Sequence, residues 1–222
     1  LGVLKAETST SRTLGVIWQP QFADLSVSVD YFDISVKDEV DQFGAQQIVA
    51  GCYGSQFYPN EPLCDLFERD PLTNNGVTNV RDSFINIASQ TNKGYDVSAR
   101  YRTDLRWGQL TIETQHTFQQ KDVRALFAQT AEDLNGRVGD PDWVGHLNMT
   151  FDRGPWSFFW GREFIGSSSN EAHFGGDTAT YRGETVRVVL KTDTVIYDNA
   201  SVAREFKDSG LTARLGVANV FD

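Results

Sequence analysis

The sequence has little positive charge, few cysteines and no long apolar run, and each shortage excludes a class of protein. Acidic residues outnumber basic ones 30 to 20 in the 222-residue chain, which gives a formal net charge of −10. Nucleic acid is therefore not expected as a partner, because phosphate binding needs clustered Lys and Arg. No stretch approaches the roughly 20 apolar residues of a membrane-spanning helix, so helical membrane proteins are excluded. The two cysteines, Cys52 and Cys64, fit no paired zinc-ligand pattern.

Aromatic residues, in contrast, are plentiful. They make up 12% of the chain, with 15 Phe and 5 Trp, while the apolar share of 40% is somewhat low for a soluble globular domain. A transmembrane β-barrel combines these properties, because its strands carry apolar side chains on the lipid face and polar ones on a wet inner face. The composition therefore permits a barrel without requiring it.

Alternation of apolar and polar residues with a period of two is the main pattern of the chain, and it predicts an all-β fold. The eight segments that show it are Glu7–Trp18, Leu25–Val36, Phe84–Thr103, Gln109–Gln120, Trp143–Asp152, Trp156–Gly166, a less regular one within Lys191–Phe206, and Leu211–Phe221. In the second segment the parity of the apolar residues changes after Tyr31, which indicates either a bulge or a change of environment. Only Phe43–Gly51 has a spacing that could form a short helix.

The connections between these segments alternate strictly between short and long. The short ones are Gln19–Asp24, Asp104–Gly108, Arg153–Pro155 and Lys207–Gly210, and the long ones are Lys37–Ser83, Lys121–Asp142 and Ser167–Leu190. An antiparallel up-and-down meander gives this order when all tight turns lie at one end, as in outer-membrane barrels with short periplasmic turns. Soluble sandwiches rarely contain loops of this length. The rhythm favours a transmembrane β-barrel segment of about eight strands.

Three tryptophans agree with this interpretation. Trp18, Trp107 and Trp156 all lie beside predicted short turns. Amphipathic rings collect at the boundary between membrane and water, so we expect these three at one membrane interface.

Three blocks of sequence, in this order, carry a resemblance to a known family. They are Gly15-Val16-Ile17-Trp18-Gln19-Pro20 followed by Leu25–Ile34, then Asn86-Ile87-Ala88 with Gly94-Tyr95-Asp96, and finally Leu215-Gly216-Val217-Ala218-Asn219-Val220-Phe221-Asp222. Together they make the chain resemble the C-terminal part of the β-barrel of TonB-dependent outer-membrane receptors.

The resemblance implies a fold and a function that the residues alone do not establish. Members of this family are barrels of about 22 strands around an N-terminal plug. They import scarce ligands, such as siderophore-bound iron, cobalamin or oligosaccharides, with energy passed on by TonB. Residues 1–222 would then be part of such a barrel, without the plug and the last strand, in the outer membrane of a Gram-negative bacterium. The implied partners are outer-membrane lipid, a small-molecule ligand, TonB and the plug domain, and no cofactor or enzymatic activity is implied.

Two other classes stay open at this point. A soluble or secreted all-β module that binds a ligand or carbohydrate would use its exposed aromatic residues as stacking platforms. A passive porin would share the barrel pattern but lack the plug. An enzyme has the least support, because no local motif suggests a catalytic group.

The resemblance also directs attention to candidate sites. Cys52 and Cys64 lie in the longest connection, and in an extracellular loop of this family they would form a disulfide. That connection is also acidic, with seven carboxylates against two cations between Lys37 and Val77, which fits either attraction of a cationic ligand or simple solvation. Ligand contacts are expected in the regions Phe43–Asp70 and Ser167–Tyr181. Of the three histidines, His116 falls on the outward face, His146 on the inward face and His173 in the last long connection. The inward polar set comprises Asp30, Asp96, Arg100, Arg102, Glu113, Gln115, Asn148 and Arg214.

Overall fold

The fold is described from a computed structural model, which covers residues 4–42, 44–82, 84–86, 89–125, 131–174, 178–187 and 190–221. The chain divides into two compact units. Unit 1 comprises Leu1–Thr10, Ser35–Gln90 and Ala125–Ala131, and unit 2 comprises Ser11–Ile34, Thr91–Arg124 and Glu132–Asp222. None of the helices formed by the described residues is long and apolar enough to cross a membrane.

Antiparallel strands dominate the structure. In chain order they are β1 Thr8–Trp18, β2 Asp24–Lys37, β3 Val40–Gln42, β4 Phe67–Asp70, β5 Gly76–Val80, β6 Phe84–Asn86, β7 Ser89–Leu105, β8 Gly108–Ala125, β9 Ala131–Asp133, β10 Trp143–Arg153, β11 Trp156–Ile165, β12 Ser168–Ser169, β13 Thr178–Tyr181, β14 Glu184–Arg187, β15 Lys191–Thr192, β16 Val195–Phe206 and β17 Leu211–Val217. The helices are α1 Ala45–Gly54 and α2 Glu171–Phe174, and the 3-10 helices are Pro62–Leu66 and Pro71–Thr73.

Eight long strands form one sheet in the order β1-β2-β7-β8-β10-β11-β16-β17, with β9 added beside β8. Each long strand therefore pairs with the long strand before and after it in the chain, which is the up-and-down meander predicted from the alternation. All eight predicted segments correspond to these strands. Some boundaries differ by up to five residues, as in the fourth segment, where β8 continues beyond Gln120 to Ala125. In the eighth segment β17 ends at Val217, and Asn219 adopts a left-handed backbone conformation with φ 53°. The sequence alternation continues to Phe221 because that turn still carries apolar residues.

The register of β8, β10, β11 and β16 separates two faces. One face carries mainly apolar side chains, for example along the row in which Ile112 pairs with Met149 and Met149 with Trp160. The other carries mainly polar side chains, along the row in which Gln115 pairs with His146 and His146 with Glu163. We call these the apolar face and the polar face. Because successive side chains of a strand alternate between faces, the two rows fix the direction of every other residue in these strands.

The second predicted segment forms a single uninterrupted strand, β2. The ring of Phe32 lies over Gly94 of β7, at a point where an added Cβ would be 2.7 Å from Phe32 Cζ. The adjacent residues of the two strands, Asp33 and Lys93, form an ion pair with 2.9 Å between Oδ2 and Nζ. The parity thus changes after Tyr31 because the Phe32 ring covers Gly94 on one face while Asp33 pairs with Lys93 on the other.

Unit 1 contains its own small core. The buried side chains are Ile48 and Cys52 of α1 with Leu63 and Leu66 of the 3-10 helix, and Phe67 and Val80 pack against them. Unit 1 also contains two short antiparallel strand pairs, in which β3 pairs with β6 and β4 with β5. The helix predicted within 43–51 is present as α1, which begins at Ala45 and ends at Gly54; Phe43 lies outside the described residues.

Candidate functional site

The polar face of unit 2 is linked by hydrogen bonds between side chains of neighbouring strands. Arg100 Nε donates to Glu113 Oε1 at 2.9 Å, and Thr117 Oγ1 donates to Asp96 Oδ1 at 2.6 Å. Further along, Gln119 Nε2 donates to the side-chain oxygen of Asn92 at 2.7 Å. These bonds join β7 to β8, and they satisfy part of the polar set that the sequence predicts to point inward.

A concavity of about 760 Å³ lies on this polar face, toward the end of the sheet where the long connections lie. It is open rather than enclosed, and its lining comes from β8, β10, β11 and β16. The polar lining side chains include Gln115, Thr117, His146, Asn148, Glu163 and Asn199. A smaller hollow of about 270 Å³ adjoins it and shares Gln115 and His146. Of the predicted inward set, Gln115 and Asn148 thus meet in one cavity, whereas Asp30, Arg102 and Arg214 lie elsewhere in the sheet.

The cavity can bind a polar ligand, and nothing in it suggests bond-breaking chemistry. Its residues offer amide donors and acceptors, one imidazole and the Glu163 carboxylate, and among the described residues that carboxylate has no hydrogen-bonded or ionic partner. Within the same described ranges, no group of three or more His, Cys, Asp or Glu side chains is arranged to hold a metal ion. Glu163 and Asn199 were not singled out by the sequence analysis, although their parity in the sixth and seventh segments could have identified them.

The apolar face ends in aromatic side chains on both sides. At the short-turn end lie Trp18, Trp107 and Trp156, whose exposed fractions are 54%, 64% and 39%. At the opposite end, Trp143 stacks with Phe118 and Phe164, and the three rings surround His116. Trp143 Nε1 donates to His116 Nδ1 at 3.1 Å. His116 is therefore on the outward face, as its parity predicts, and it belongs to an aromatic cluster.

An ion pair joins β11 to β16 on the apolar face. Arg162 of β11 is the direct cross-strand neighbour of Asp198 of β16. Two hydrogen bonds join them, from Nε to Oδ1 at 2.9 Å and from Nη2 to Oδ2 at 3.1 Å. The guanidinium also lies 5.0 Å from the ring centre of Trp160, and the Asp198 side chain is only 6% exposed. The sequence alone does not predict this pair. A signal is present, because Arg162 and Asp198 carry opposite charges at strand positions where the alternation calls for apolar residues.

The longest connection is organised around a disulfide between Cys52 and Cys64, whose Cα atoms are 4.9 Å apart. Beside it, the Arg69 guanidinium lies 5.2 Å from the ring centre of Tyr53 and 5.5 Å from that of Phe67. Tyr58 packs on the same tyrosine, and both tyrosines are half exposed. This part of the region Phe43–Asp70 therefore presents a rigid aromatic and cationic surface.

The last long connection is held by charge. Glu171 of α2 contacts Lys191 Nζ at 2.5 Å and Arg187 Nη2 at 3.5 Å. The hydrogen bond from Lys191 is the main cause that lowers the pKa of the Glu171 carboxyl, and the positive charges of Lys191 and Arg187 act in the same direction. The backbone of His173 belongs to α2, and the segment 175–177 lies outside the described residues.

The motif residues that carry the resemblance have structural roles. Asn86 Nδ2 donates to the carbonyls of Lys5 at 2.9 Å and of Asp38 at 2.6 Å, so its amide ties three segments of unit 1 together. Asn219 donates its backbone N–H to Asn199 Oδ1 at 3.1 Å and thereby fixes the turn after β17. Ile87, Ala88 and Asp222, which belong to the same motifs, lie outside the described residues.

Comparison with known proteins supports the resemblance. Residues 1–220 match the family model described as TonB dependent receptor-like, beta-barrel. A comparison with curated protein sequences gives no significant match.

Several solved receptors share the fold. The siderophore receptor PirA from Acinetobacter baumannii is similar over 99% of this chain and 28% of its own, with 16% identity and a TM-score of 0.57. A mutant of the ferric enterobactin receptor from Pseudomonas aeruginosa is similar over 99% of this chain and 26% of its own, with 14% identity and a TM-score of 0.58. The ferripyoverdine receptor of the outer membrane of Pseudomonas aeruginosa is similar over 100% of this chain and 24% of its own, with 14% identity and a TM-score of 0.55.

The chain thus spans about a quarter of the length of these receptors. A family match over residues 1–220 excludes the soluble carbohydrate-binding module that the sequence left open. The same match locates the chain in the outer membrane of a Gram-negative bacterium. The protein belongs to the TonB-dependent receptor family, and its eight long strands are part of that family's outer-membrane β-barrel.

Proposed function

We propose that this chain contributes part of the barrel wall of a receptor that imports a scarce ligand by TonB-coupled active transport. Siderophore-bound iron is the leading ligand class, with cobalamin and oligosaccharides as the other members of the hypothesis. The observation that carries the proposal is the polar cavity of about 760 Å³ beside the long-connection end of the sheet. The similar solved structures are those of siderophore receptors, which adds support for the first class.

In this proposal the two faces of the sheet have different roles. The apolar face contacts lipid, and the polar face borders a wet interior in which a plug domain and the ligand would be accommodated. Phe118 lies eleven residues after Trp107, or about 36 Å along the strand, which at a tilt of about 45° spans the roughly 25 Å of an apolar band. We therefore propose that Trp18, Trp107 and Trp156 lie at the periplasmic interface and the His116 cluster at the outer one. The protein would act by binding and gated passage, without enzymatic chemistry.

The test is ligand uptake by cells. A strain that lacks the full-length gene is complemented with the wild-type receptor, and uptake of a radiolabelled ferric siderophore is measured with and without TonB. The proposal expects uptake that requires both the receptor and TonB. Uptake that persists without TonB would instead support a passive porin. If the deletion strain grows without defect on every iron source, the iron-siderophore assignment is contradicted. The same strains would then be screened with cobalamin and oligosaccharides.

Two glutamates allow a matched test of the cavity. Glu163 lines the cavity, whereas Glu205 lies on the same face of β16 at the short-turn end. We expect Glu163→Gln to change the apparent affinity for the transported ligand severalfold and Glu205→Gln to leave it unchanged. Equal effects of the two substitutions would show that the cavity does not bind the ligand, and they would not contradict the transport function.

A further inference from the structure

A buried carboxylate with one unpaired oxygen lies near the end of β8. The side chain of Asp122 is only 5% exposed, and its Oδ1 atom has no hydrogen-bond partner. The Oδ2 atom is 3.5 Å from Nη2 of Arg124, at the limit of a hydrogen bond, and the Arg124 side chain is 55% exposed. A buried ionised carboxylate is strongly unfavourable unless a charge or several donors compensate it. The protein groups around Asp122 supply little of that compensation.

A second oxygen in the same junction is also buried and unpaired. Asn135 Nδ2 donates to the carbonyl of Gln119 at 3.0 Å, and this bond fixes which end of the amide is the oxygen. Asn135 Oδ1 is then left without a partner. Two unpaired buried oxygens in neighbouring segments are unusual, because nearly all buried polar atoms in proteins are paired. A shared missing ligand would explain both.

The backbone holds these side chains and Asp133 in one rigid frame. The Leu134 N–H donates to the Asp122 carbonyl at 2.8 Å, and this bond places β9 beside β8. Asp133 Oδ1 accepts from the backbone N–H of Asp122 at 3.3 Å and from that of Asn135 at 3.1 Å. Hydrogen bonds to the main chain of β8 therefore hold the side chains of Asp133 and Asn135 beside Asp122.

We propose that this junction binds a calcium ion through Asp122, Asp133 and Asn135. Carboxylate and amide oxygens are the ligands that Ca²⁺ prefers, and the two carboxylates balance its charge. Ca²⁺ takes 6–8 oxygen ligands in a flexible geometry and accepts water for the rest, whereas Mg²⁺ demands a near-octahedral set. With only two carboxylates, the site belongs to the weak class of extracellular modules, with a dissociation constant of about 0.1–1 mM. Binding would anchor the connection between β8 and β10.

The direct test measures binding to the full-length receptor in detergent solution. Equilibrium dialysis with radioactive Ca²⁺ should show one saturable site in this affinity range, and excess Mg²⁺ should compete at least tenfold less well than Ca²⁺. Asp122→Asn removes one charge and preserves the shape of the side chain, so it should weaken binding at least tenfold. Asp208→Asn, which changes the same charge in the turn at the opposite end of the sheet, is the matched control and should bind normally. Saturable binding that is unaffected by Asp122→Asn would overturn the proposal.

A second measurement separates calcium from compensation by Arg124. If Arg124 is the partner of Asp122, Arg124→Gln should lower the melting temperature and Ca²⁺ should not restore it. If Ca²⁺ is the partner, Arg124→Gln removes a competing positive charge and should bind Ca²⁺ as tightly as the wild type or more tightly. The wild type should also melt at a higher temperature in 10 mM CaCl₂ than in EDTA, whereas Asp122→Asn should not respond. No calcium dependence in the wild type would refute the site.

Discussion

The ion pair between Arg162 and Asp198 gives the sharpest prediction about stability, because it lies on a face that otherwise meets lipid. Removal of the arginine by Arg162→Met leaves a carboxylate that is 6% exposed without its two hydrogen bonds. Breaking a buried pair in this way costs about 3–5 kcal/mol of unfolding free energy. The reverse change, Asp198→Leu, leaves an unpaired arginine on the apolar face, two residues from Phe164 of the His116 cluster. Near the membrane interface such a charge costs only about 0–1 kcal/mol.

The double variant should behave differently from the sum of the single ones. Adding the two losses predicts about 3–6 kcal/mol, whereas replacing both charges by apolar groups is often neutral or stabilising. We therefore expect the variant with Met at position 162 and Leu at position 198 to unfold within about 1 kcal/mol of the wild type, because no charge is then left to desolvate. The difference is a coupling free energy of several kcal/mol.

The assay is reversible urea unfolding of the full-length receptor in phospholipid vesicles, followed by tryptophan fluorescence. Trp160 lies 5.0 Å from the Arg162 guanidinium and reports on the site directly. The conservative variant Arg162→Lys keeps the charge but loses the paired geometry, so its loss should be smaller than that of Arg162→Met. The reasoning is refuted if Arg162→Met costs less than about 1 kcal/mol, or if the double variant loses the full sum.

Three further predictions concern other parts of the chain. Cys52→Ser opens a loop with a sequence separation of 12 and should cost unit 1 about 3 kcal/mol, measured as faster proteolysis within residues 45–80 while the main sheet stays protected. Gly94→Ala should destabilise the receptor by about 1–3 kcal/mol in the urea assay, because the new Cβ would clash with the Phe118 carbonyl oxygen and lie 2.7 Å from the Phe32 ring. Gly54→Ala meets open space and should not destabilise it. The pKa of Glu171 is lowered in the folded state by Lys191, so its stabilising effect is present above the unfolded pKa and is lost as the pH falls through the folded one. Hydrogen exchange at residues 190–192, corrected for its intrinsic pH dependence, should therefore rise in acid, and Glu171→Gln should abolish that rise.

The main sheet could be predicted from the sequence because each long strand has one lipid face and one wet face. That difference imposes a period of two on the side chains, and the pattern alone gave the position and neighbours of all eight long strands. The alternation of short and long connections then predicted that all the tight turns lie at one end of an antiparallel sheet. The short strand pairs β3–β6 and β13–β14 could not be predicted in this way, because strands of three or four residues are too short to show a period of two.

The polar cavity and the charged pair show where such prediction ends. Periodicity assigns Asn148 and Glu163 to the same face, but only the register of three strands shows that they line one cavity. Arg162 and Asp198 are 36 residues apart, and their pairing depends on the register of β11 with β16. The oxygens of Asp122 and Asn135 are a stronger case, since their lack of partners is visible only when every neighbouring donor has been placed.

The central claim is that one face of this sheet meets lipid while the other borders a wet interior, and spin labelling tests it most directly. Nitroxide labels are placed one at a time on the successive β10 residues Leu147, Asn148, Met149 and Thr150 of the full-length receptor in vesicles. Collisions with oxygen, which dissolves in lipid, should be frequent for the labels at Leu147 and Met149. Collisions with a water-soluble nickel chelate should be frequent for the labels at Asn148 and Thr150. The two accessibilities should alternate with a period of two and in opposite phase, whereas equal access of the nickel chelate to all four labels would contradict the account.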